Sequence, residues 1–431
     1  MSCPSVIICV GGKMKKYMKR IIDDVLIEEL EAFGGVLIAG PKWCGKTTSA
    51  SQLAKSSLYM HDEDSRESNI QMAKTKPSIL LRGESPRLID EWQIAPELWD
   101  AIRFEIDNKG KEGLFILTGS TIVDETKIMH SGAGRISRLL MRTMSLYESG
   151  DSNGTISLLE LFKEKTDLSA QADIDIEDMA KILVRGGWPN SVGKKTNIAL
   201  RQISGYCDAI ANSEIKTVDG VNRDPNKTKS ILKVFSRHIS TQAAYTTMLK
   251  DLKSNNDTIN INTMKSYIDA LEKLYVIEDL PAWSPKLRSK TAVRTSPTRH
   301  FIDPAIAARM LGAYPEDLLN DLNTFGLLFE SLVIRDLRIY SQLHNGKVYH
   351  YRDKTNLEVD AIIHLDNGKW GAIEVKLSSS QIDTAAKNLI KFKEKVDLKQ
   401  GPSFLAIITT SKYAYKREDG VLVIPIGCLK P

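Results

Sequence analysis

Between positions 35 and 144 the apolar residues come in short strand-length runs, at 36–39, 57–60, 88–89, 114–117 and 139–144. Each run gives way to polar residues and then to a stretch with helical spacing. Runs bounded in this way read as buried parallel strands, and their alternation with helices predicts an α/β fold with a parallel sheet whose ligand lies at the carboxyl ends of the strands. Ahead of the first run, Ile22, Val25, Leu26 and Leu30 recur every three or four positions, which predicts an amphipathic helix over 21–33. Beyond a polar boundary at 151–178 the pattern turns helical, with stretches at 228–248 and 262–275. In the second of these Met264, Tyr267, Ile268, Leu271 and Leu274 form one apolar stripe. The last third predicts a helix over 325–343, strands at 348–351, 358–363 and 370–377, and a hairpin turn at Asn367 and Gly368. The chain therefore divides into an N-terminal helix (1–34), an α/β core (35–150), a helical middle (151–305) and a C-terminal α/β domain (306–431).

The segment that joins the first strand to the next helix carries chemistry. Gly40, Gly45, Lys46 and Thr47 fit the spacing G-x-x-x-x-G-K-[ST], with Pro41, Lys42, Trp43 and Cys44 between the glycines and Thr48 opening the helix. Glycines let successive backbone N–H groups turn toward phosphate oxygens, Lys46 meets the β/γ charge, and the Thr47 hydroxyl ligates Mg²⁺. The run 87–91 ends in Asp90 and Glu91, as a Walker B strand does: Asp90 holds Mg²⁺ through water and Glu91 orients or polarises the attacking water. Thr118 and Ser120, at the end of the 114–120 strand, are candidate sensors of the γ-phosphate. Arg135 and Arg138 follow a glycine-flexible segment and reach a phosphate in cis, or in trans within an oligomer.

Composition narrows the class. With 42% hydrophobic and 26% charged residues over 431 positions, the chain is that of an ordinary multidomain soluble protein. No apolar run approaches the ~18 residues that cross a bilayer, and the patch at 6–10 is too short for a signal-peptide core, so the expected compartment is the cytoplasm. Five scattered cysteines without a C-x-x-C pair exclude a disulfide framework and a cysteine zinc site. Cys44 is the one thiol placed to sense oxidation. A net charge of +5 confines any nucleic-acid surface to a local patch. One such stretch, 13–20, is either a solvated helix face or a nucleic-acid contact.

Five motifs together carry a resemblance: Gly40-Pro-Lys-Trp-Cys-Gly-Lys-Thr-Thr48, Leu88-Ile-Asp-Glu-Trp-Gln93, Leu117-Thr-Gly-Ser120, Gly134-Arg-Ile-Ser-Arg138 with Met144-Ser-Leu-Tyr-Glu148, and Gly186-Gly-Trp-Pro189. The chain resembles prokaryotic ATP-binding proteins that join an AAA-type P-loop module to a C-terminal half of unknown function. That resemblance implies ATP and Mg²⁺ at Lys46, Thr47 and Asp90. It leaves the physiological target open.

Two further resemblances concern the rest of the chain. The helices at 228–248 and 262–275, followed by short strands at 276–277 and 300–302, resemble a winged helix over about 228–303. Lys286, Arg288, Lys290, Arg294 and Arg299 lie on its wing, and no acidic residue occurs from Ala282 to Phe301. Such a unit either contacts DNA or packs between domains. In the last third, the order of helix, hairpin with Asp360 and strand with Glu374-x-Lys376 resembles the PD-(D/E)XK nuclease fold, with Val359 where that motif has proline. The resemblance implies that Asp360 and Glu374 ligate a second divalent metal, that Glu330 assists them, and that Lys376 orients or activates the attacking water. The expected function is an AAA-type ATPase coupled to a nuclease-like, nucleic-acid-engaging domain. The alternative is an ATP-dependent switch that controls a protein partner through a catalytically silent nuclease-like fold.

Overall fold

The computed structural model describes residues 7–10, 13–122, 131–163, 168–254, 259–285, 296–396 and 400–431. The chain forms two compact units, Met1–Met141 and Arg142–Pro431.

In the first unit, β1 (Ile7–Val10) pairs antiparallel with β2 (Lys13–Lys16), and the helix Ile21–Ala32 leads into β3 (Gly35–Ala39). The basic stretch at 13–20 is therefore not one helix face, because its first half pairs with the β-branched run Ile7–Val10. After the helix Lys46–Leu53 come β4 (Ser56–Tyr59), β5 (Arg87–Asp90), β6 (Phe115–Gly119) and β7 (Ile136–Leu140). All neighbours are parallel, in the order β4-β5-β6-β3-β7. Central β3 is buried at every residue, which explains its unbroken apolar sequence. The last strand begins three residues before the apolar run at 139, because it pairs with the whole of β3, from Gly35↔Ile136 to Ala39↔Leu140.

The second unit begins eight residues before the expected boundary at 150, since the segment after Met141 is fastened to distant parts of that unit. The Leu146 N–H donates to Asp336 at 2.9 Å, and Arg185 forks onto Asp151 at 3.1 and 2.6 Å. The short strands β8 (Ile156–Ser157) and β9 (Ala170–Gln171) lie within the polar stretch read as a boundary. Ile176–Arg185 and Thr196–Ala209 are the first long helices of the unit.

Three helices, Pro225–Arg237, Tyr245–Ser254 and Ile261–Lys273, replace the two expected. The break comes at Ser240, whose φ of 54° ends the first helix and whose N–H donates to the Arg299 carbonyl at 2.8 Å. Antiparallel bridges Ile277↔Phe301 and Leu280↔Thr298 follow. Of the wing residues, Lys286, Arg288, Lys290 and Arg294 lie outside the described residues. Arg299 is a correction: its side chain is buried, bonded to Asp279 and to the Ala243 carbonyl, with the guanidinium 4.3 Å over the Tyr245 ring. A guanidinium spent in this way is unavailable to DNA phosphates.

The helix Leu322–Gln342 then packs against β10 (Gly346–Arg352), β11 (Glu358–Leu365) and β12 (Trp370–Lys376). The helix Ile382–Val396 precedes β13 (Phe404–Thr409), β14 (Tyr413–Lys416), β15 (Leu422–Pro425) and β16 (Leu429–Lys430). Seven strands form one mixed sheet in the order β10-β11-β12-β13-β15-β14-β9, and β16 pairs with β8. Trp283, Ile362, Trp370, Leu389, Phe392 and Ile407 build the core between this sheet and the Ile382–Val396 helix. Among the described helices, none is long and apolar enough to cross a membrane.

Two of the motifs noted in the sequence meet here as packing elements. The Met144 N–H donates to the Gly187 carbonyl at 2.7 Å, and a Cβ on Gly187 would lie 2.2 Å from the Met144 carbonyl oxygen. Only glycine allows that approach.

Candidate functional site

The turn after β3 is shaped by two glycines. Gly40 has φ 152°, and a Cβ there would lie 2.1 Å from the Met141 carbonyl oxygen; Gly45, with φ 106°, sets the start of the helix Lys46–Leu53. The Lys46 ammonium is buried and donates to the Gly40 and Pro41 carbonyls at 3.0 and 2.9 Å, closing the loop on itself. Next to it, Thr47 Oγ1 donates to Asp90 Oδ1 at 2.6 Å, and Thr118 Oγ1 donates to the same oxygen at 2.6 Å. Lys46, Thr47, Asp90, Glu91, Thr118 and Ser120 thus converge at the carboxyl edge of the sheet. A hydroxyl and a carboxylate meeting at one point beside a turn of backbone N–H groups is a hard-oxygen donor set, and it fits Mg²⁺.

Glu91 has φ 55°, an uncommon conformation for a non-glycine residue, and its N–H donates to Thr118 Oγ1 at 3.1 Å. Its Oε2 accepts from Ser120 Oγ at 3.1 Å and from the Gln93 amide. Gln93 had no role in the sequence reading, although it stands two positions after Glu91 in the same motif. His61, also unassigned there, brings Nδ1 to 3.4 Å from Asp90 Oδ2.

The remaining loop residues divide. Cys44 is fully buried, with Sγ turned to the Met141 carbonyl at 3.5 Å, so its thiol is neither presented to a nucleotide nor exposed to oxidants. Lys42 is half-buried, Thr48 is exposed, and Trp43 projects with 56% of its surface accessible. A clamp that sequence gave no sign of braces the loop from behind. Arg20 donates to the Cys44 carbonyl at 2.8 Å, and the Tyr17 hydroxyl lies 2.8 Å from both Asp23 Oδ2 and Ser49 Oγ. Burial raises the Asp23 pKa, with the Arg20 N–H and the Tyr17 hydroxyl pulling it back.

The two arginines do not join this site. Arg135 precedes Ile136, which pairs with the start of β3, so it lies roughly 20 Å along the sheet from Gly40 at ~3.3 Å per strand residue. It bonds Asp107 at 2.8 Å. Arg138 lies 5.3 Å over the Trp99 ring. The cis reading of Arg135 is thereby corrected, because the strand register sends it to the opposite edge from the phosphate turn.

In the second unit, antiparallel pairing of β11 with β12 brings Asp360 to the Glu374 strand. Asp360 Oδ2 accepts from the Val375 N–H at 2.7 Å and from Lys376 Nζ at 3.1 Å. Lys376 Nζ also lies 2.6 Å from Glu374 Oε2, while Asn388 Nδ2 donates to Glu374 Oε1 at 2.6 Å. Asn388 was not foreseen, since it sits on the later helix Ile382–Val396 and no motif marks it. Glu330, on Leu322–Gln342, faces the cluster. Burial and then Asp360 raise its pKa, against the pull of Lys376; burial and Asp360 likewise raise that of Glu374. The Lys376 ammonium holds its proton more tightly, because both carboxylates outweigh its own burial. As arranged, the cluster does not fit a divalent ion: Lys376 bridges the two expected ligands, and among the described residues no group of three or more His, Cys, Asp or Glu side chains is placed to hold a metal.

Residues 33–149 match the AAA domain family. The chain therefore carries an AAA-type, ATP-binding domain joined to further domains. Residues 176–317 match a domain of unknown function (DUF8612), and residues 325–429 match another (DUF4143). Among solved structures, the Walker-type ATPase of Pyrococcus abyssi is 15% identical, over 68% of this chain and 96% of that one, with a TM-score of 0.41. The Hef helicase domain of Pyrococcus furiosus is 12% identical, over 91% of this chain and 89% of that one, with a TM-score of 0.21. No curated protein matches.

Proposed function

We propose that the chain is a Mg²⁺-dependent ATPase whose nucleotide state controls how the C-terminal unit engages nucleic acid. The observation that carries the first half is the contact of Thr47 with Asp90 beside the Lys46 turn. Backbone N–H groups from Gly40 to Thr48 and the Lys46 ammonium bind the phosphates, and Thr47 with Asp90 holds Mg²⁺. When bound, that ion offsets charge on the β- and γ-phosphates. Glu91 accepts a proton from the attacking water, and Ser120 reports the γ-phosphate. Arg138, or Arg135 from a neighbouring copy, remains available in trans.

Support for the second half comes from the Asp360, Glu374 and Lys376 cluster and from the three helices and antiparallel bridges at 225–301, which follow the winged-helix order. The cluster as arranged, with Lys376 bridging both carboxylates, supports engagement of nucleic acid and not its cleavage. The Lys376 bridge favours one second reading, in which the nuclease-like fold is silent and the ATP state controls a protein partner.

Trp43 is exposed while the other five tryptophans are buried, so its fluorescence reports the loop directly. ATP with Mg²⁺ is expected to shield Trp43 from acrylamide in wild type and in Glu91→Gln, but not in Lys46→Ala. Turnover is then measured with and without DNA. Stimulation by DNA that needs Lys46 supports the nucleic-acid reading, and turnover indifferent to DNA moves the assignment to the protein-partner switch.

A further inference from the structure

Gly45 is the hinge of the phosphate turn. It has no Cβ and sits at φ 106°, so no side chain of its own fixes the direction in which its peptide group faces. That direction is set from outside the loop. Arg20, 24 residues ahead of Cys44 in the chain, is 4% exposed, and its guanidinium donates to the Cys44 carbonyl at 2.8 Å. The base of the side chain is fixed as well, because Arg20 is the N-cap of the helix Ile21–Ala32 and its N–H donates to Asp23 Oδ2 at 2.8 Å. On the other side of Gly45, the Tyr17 hydroxyl lies 2.8 Å from both Asp23 Oδ2 and Ser49 Oγ, which ties the helix Lys46–Leu53 to the same anchor.

The Cys44–Gly45 peptide is trans, and in a trans peptide the C=O and the N–H point in opposite directions. A carbonyl held against Arg20 therefore turns the Gly45 N–H away from Arg20. That N–H donates to no group among the described residues, so it is left for an acceptor on a ligand. The reversed peptide would present a carbonyl oxygen in its place, and two oxygens that both carry negative charge repel.

We propose that Arg20 is a positioning residue of the nucleotide site, holding the Cys44–Gly45 peptide with its N–H presented to a phosphate oxygen. Arg20 acts through the peptide and not on the phosphate itself. The inference rests on the ATP reading above and extends that site beyond the loop, to the cap of the N-terminal helix.

The test is the affinity for ATP and ADP, read by Trp43 fluorescence, with turnover and melting temperature measured on the same samples. Arg20→Ala and Arg20→Met both remove the donor, and methionine fills most of the space. Each is expected to weaken both nucleotides roughly ten- to a hundredfold, the loss of one charged hydrogen bond. KM for ATP is expected to rise in step while kcat at saturation stays within about threefold, the pattern of binding lost equally from ground and transition states. Millimolar guanidinium is expected to restore affinity to Arg20→Ala, where the arginine has left room for it, and not to Arg20→Met. A merely structural defect would respond in the opposite sense, since guanidinium favours unfolding. If Arg20→Ala does not fold, Arg20→Met decides alone. Wild-type binding that Lys46→Ala removes but Arg20→Met keeps within about twofold overturns this proposal alone, as does a folded Arg20→Ala that guanidinium fails to rescue. A wild-type protein that binds no ATP overturns the nucleotide reading and this proposal with it.

Discussion

Thr47 and Asp90, 43 residues apart in the chain, bring hydroxyl and carboxylate oxygens to within 2.6 Å of each other. The contact exists because β5 and the phosphate turn end at the same edge of a parallel sheet, where β6 separates β5 from β3. Asp90→Asn keeps the shape of the side chain and removes its charge. It is expected to lower kcat for ATP hydrolysis by roughly 10²–10³ while ATP still protects Trp43, since Lys46 and the loop N–H groups remain. A variant within twofold of wild-type phosphate release would remove Asp90 from the metal site.

Gln93 holds the Glu91 carboxylate, the group proposed to take the proton from the attacking water. With Glu91 Oε2 accepting from both Gln93 and Ser120, that oxygen is spoken for before any water arrives. Gln93 makes the contact at some cost, because its own Oε1 is buried without a partner among the described residues. Gln93→Ala is expected to raise kcat by about threefold to tenfold at unchanged KM, the pattern of a residue acting on the chemical step and not on binding. A fall in kcat would show instead that Gln93 aims Glu91 productively.

The nucleotide site was legible in the sequence because its parts are local: the spacing from Gly40 to Thr47 fixes a turn, and a run such as Arg87–Asp90 can only end where its sheet ends. What escaped was set by distant partners. Ser240 breaks a helix that periodicity would continue, because the Arg299 and Leu327 carbonyls take its N–H and hydroxyl. The strands at 156–157 and 170–171 are two residues long and gain meaning only from pairing with Leu429–Lys430 and Tyr413–Lys416. The structure brings Asp360, Glu374 and Lys376 into one cluster, but not in the metal-ligating arrangement expected of them. The bridging by the lysine depends on side-chain geometry that no spacing encodes.

Asp303 shows how much stability such distant partners carry. Its Oδ2 accepts from Thr143 Oγ1 at 2.7 Å, the Gly187 N–H at 2.9 Å and the Arg335 guanidinium at 3.0 Å, all buried. Arg335 also pairs with Asp336 at 2.8 Å, so the guanidinium is shared between two carboxylates, which hold its pKa up against burial. Asp303→Ala leaves the buried arginine with half its compensation and orphans three further donors, the Thr143 hydroxyl and the Gly187 and Ala305 N–H groups. The expected loss is about 3–5 kcal/mol, read as a lower unfolding midpoint for the second unit. A loss below about 1 kcal/mol would mean that Asp336 alone suffices.

Glu272 makes the same unit sensitive to pH. Burial first, then Asp279 and Asp269, raise its carboxyl pKa to about 7, with Arg299 opposing. In the unfolded chain the group titrates near the ordinary value of 4.5. Between those values the folded state binds more protons than the unfolded one, so stability falls as pH rises. This contribution is fully present below about 4.5 and is lost once the pH has passed about 7. Glu272→Gln keeps the neutral form at every pH. It is therefore expected to raise the melting temperature at pH 8 relative to wild type and to leave it unchanged at pH 4.5. Equal shifts at both pH values would place the effect in packing and not in the charge. No shift at either would show that solvent reaches this half-buried carboxylate well enough to screen it.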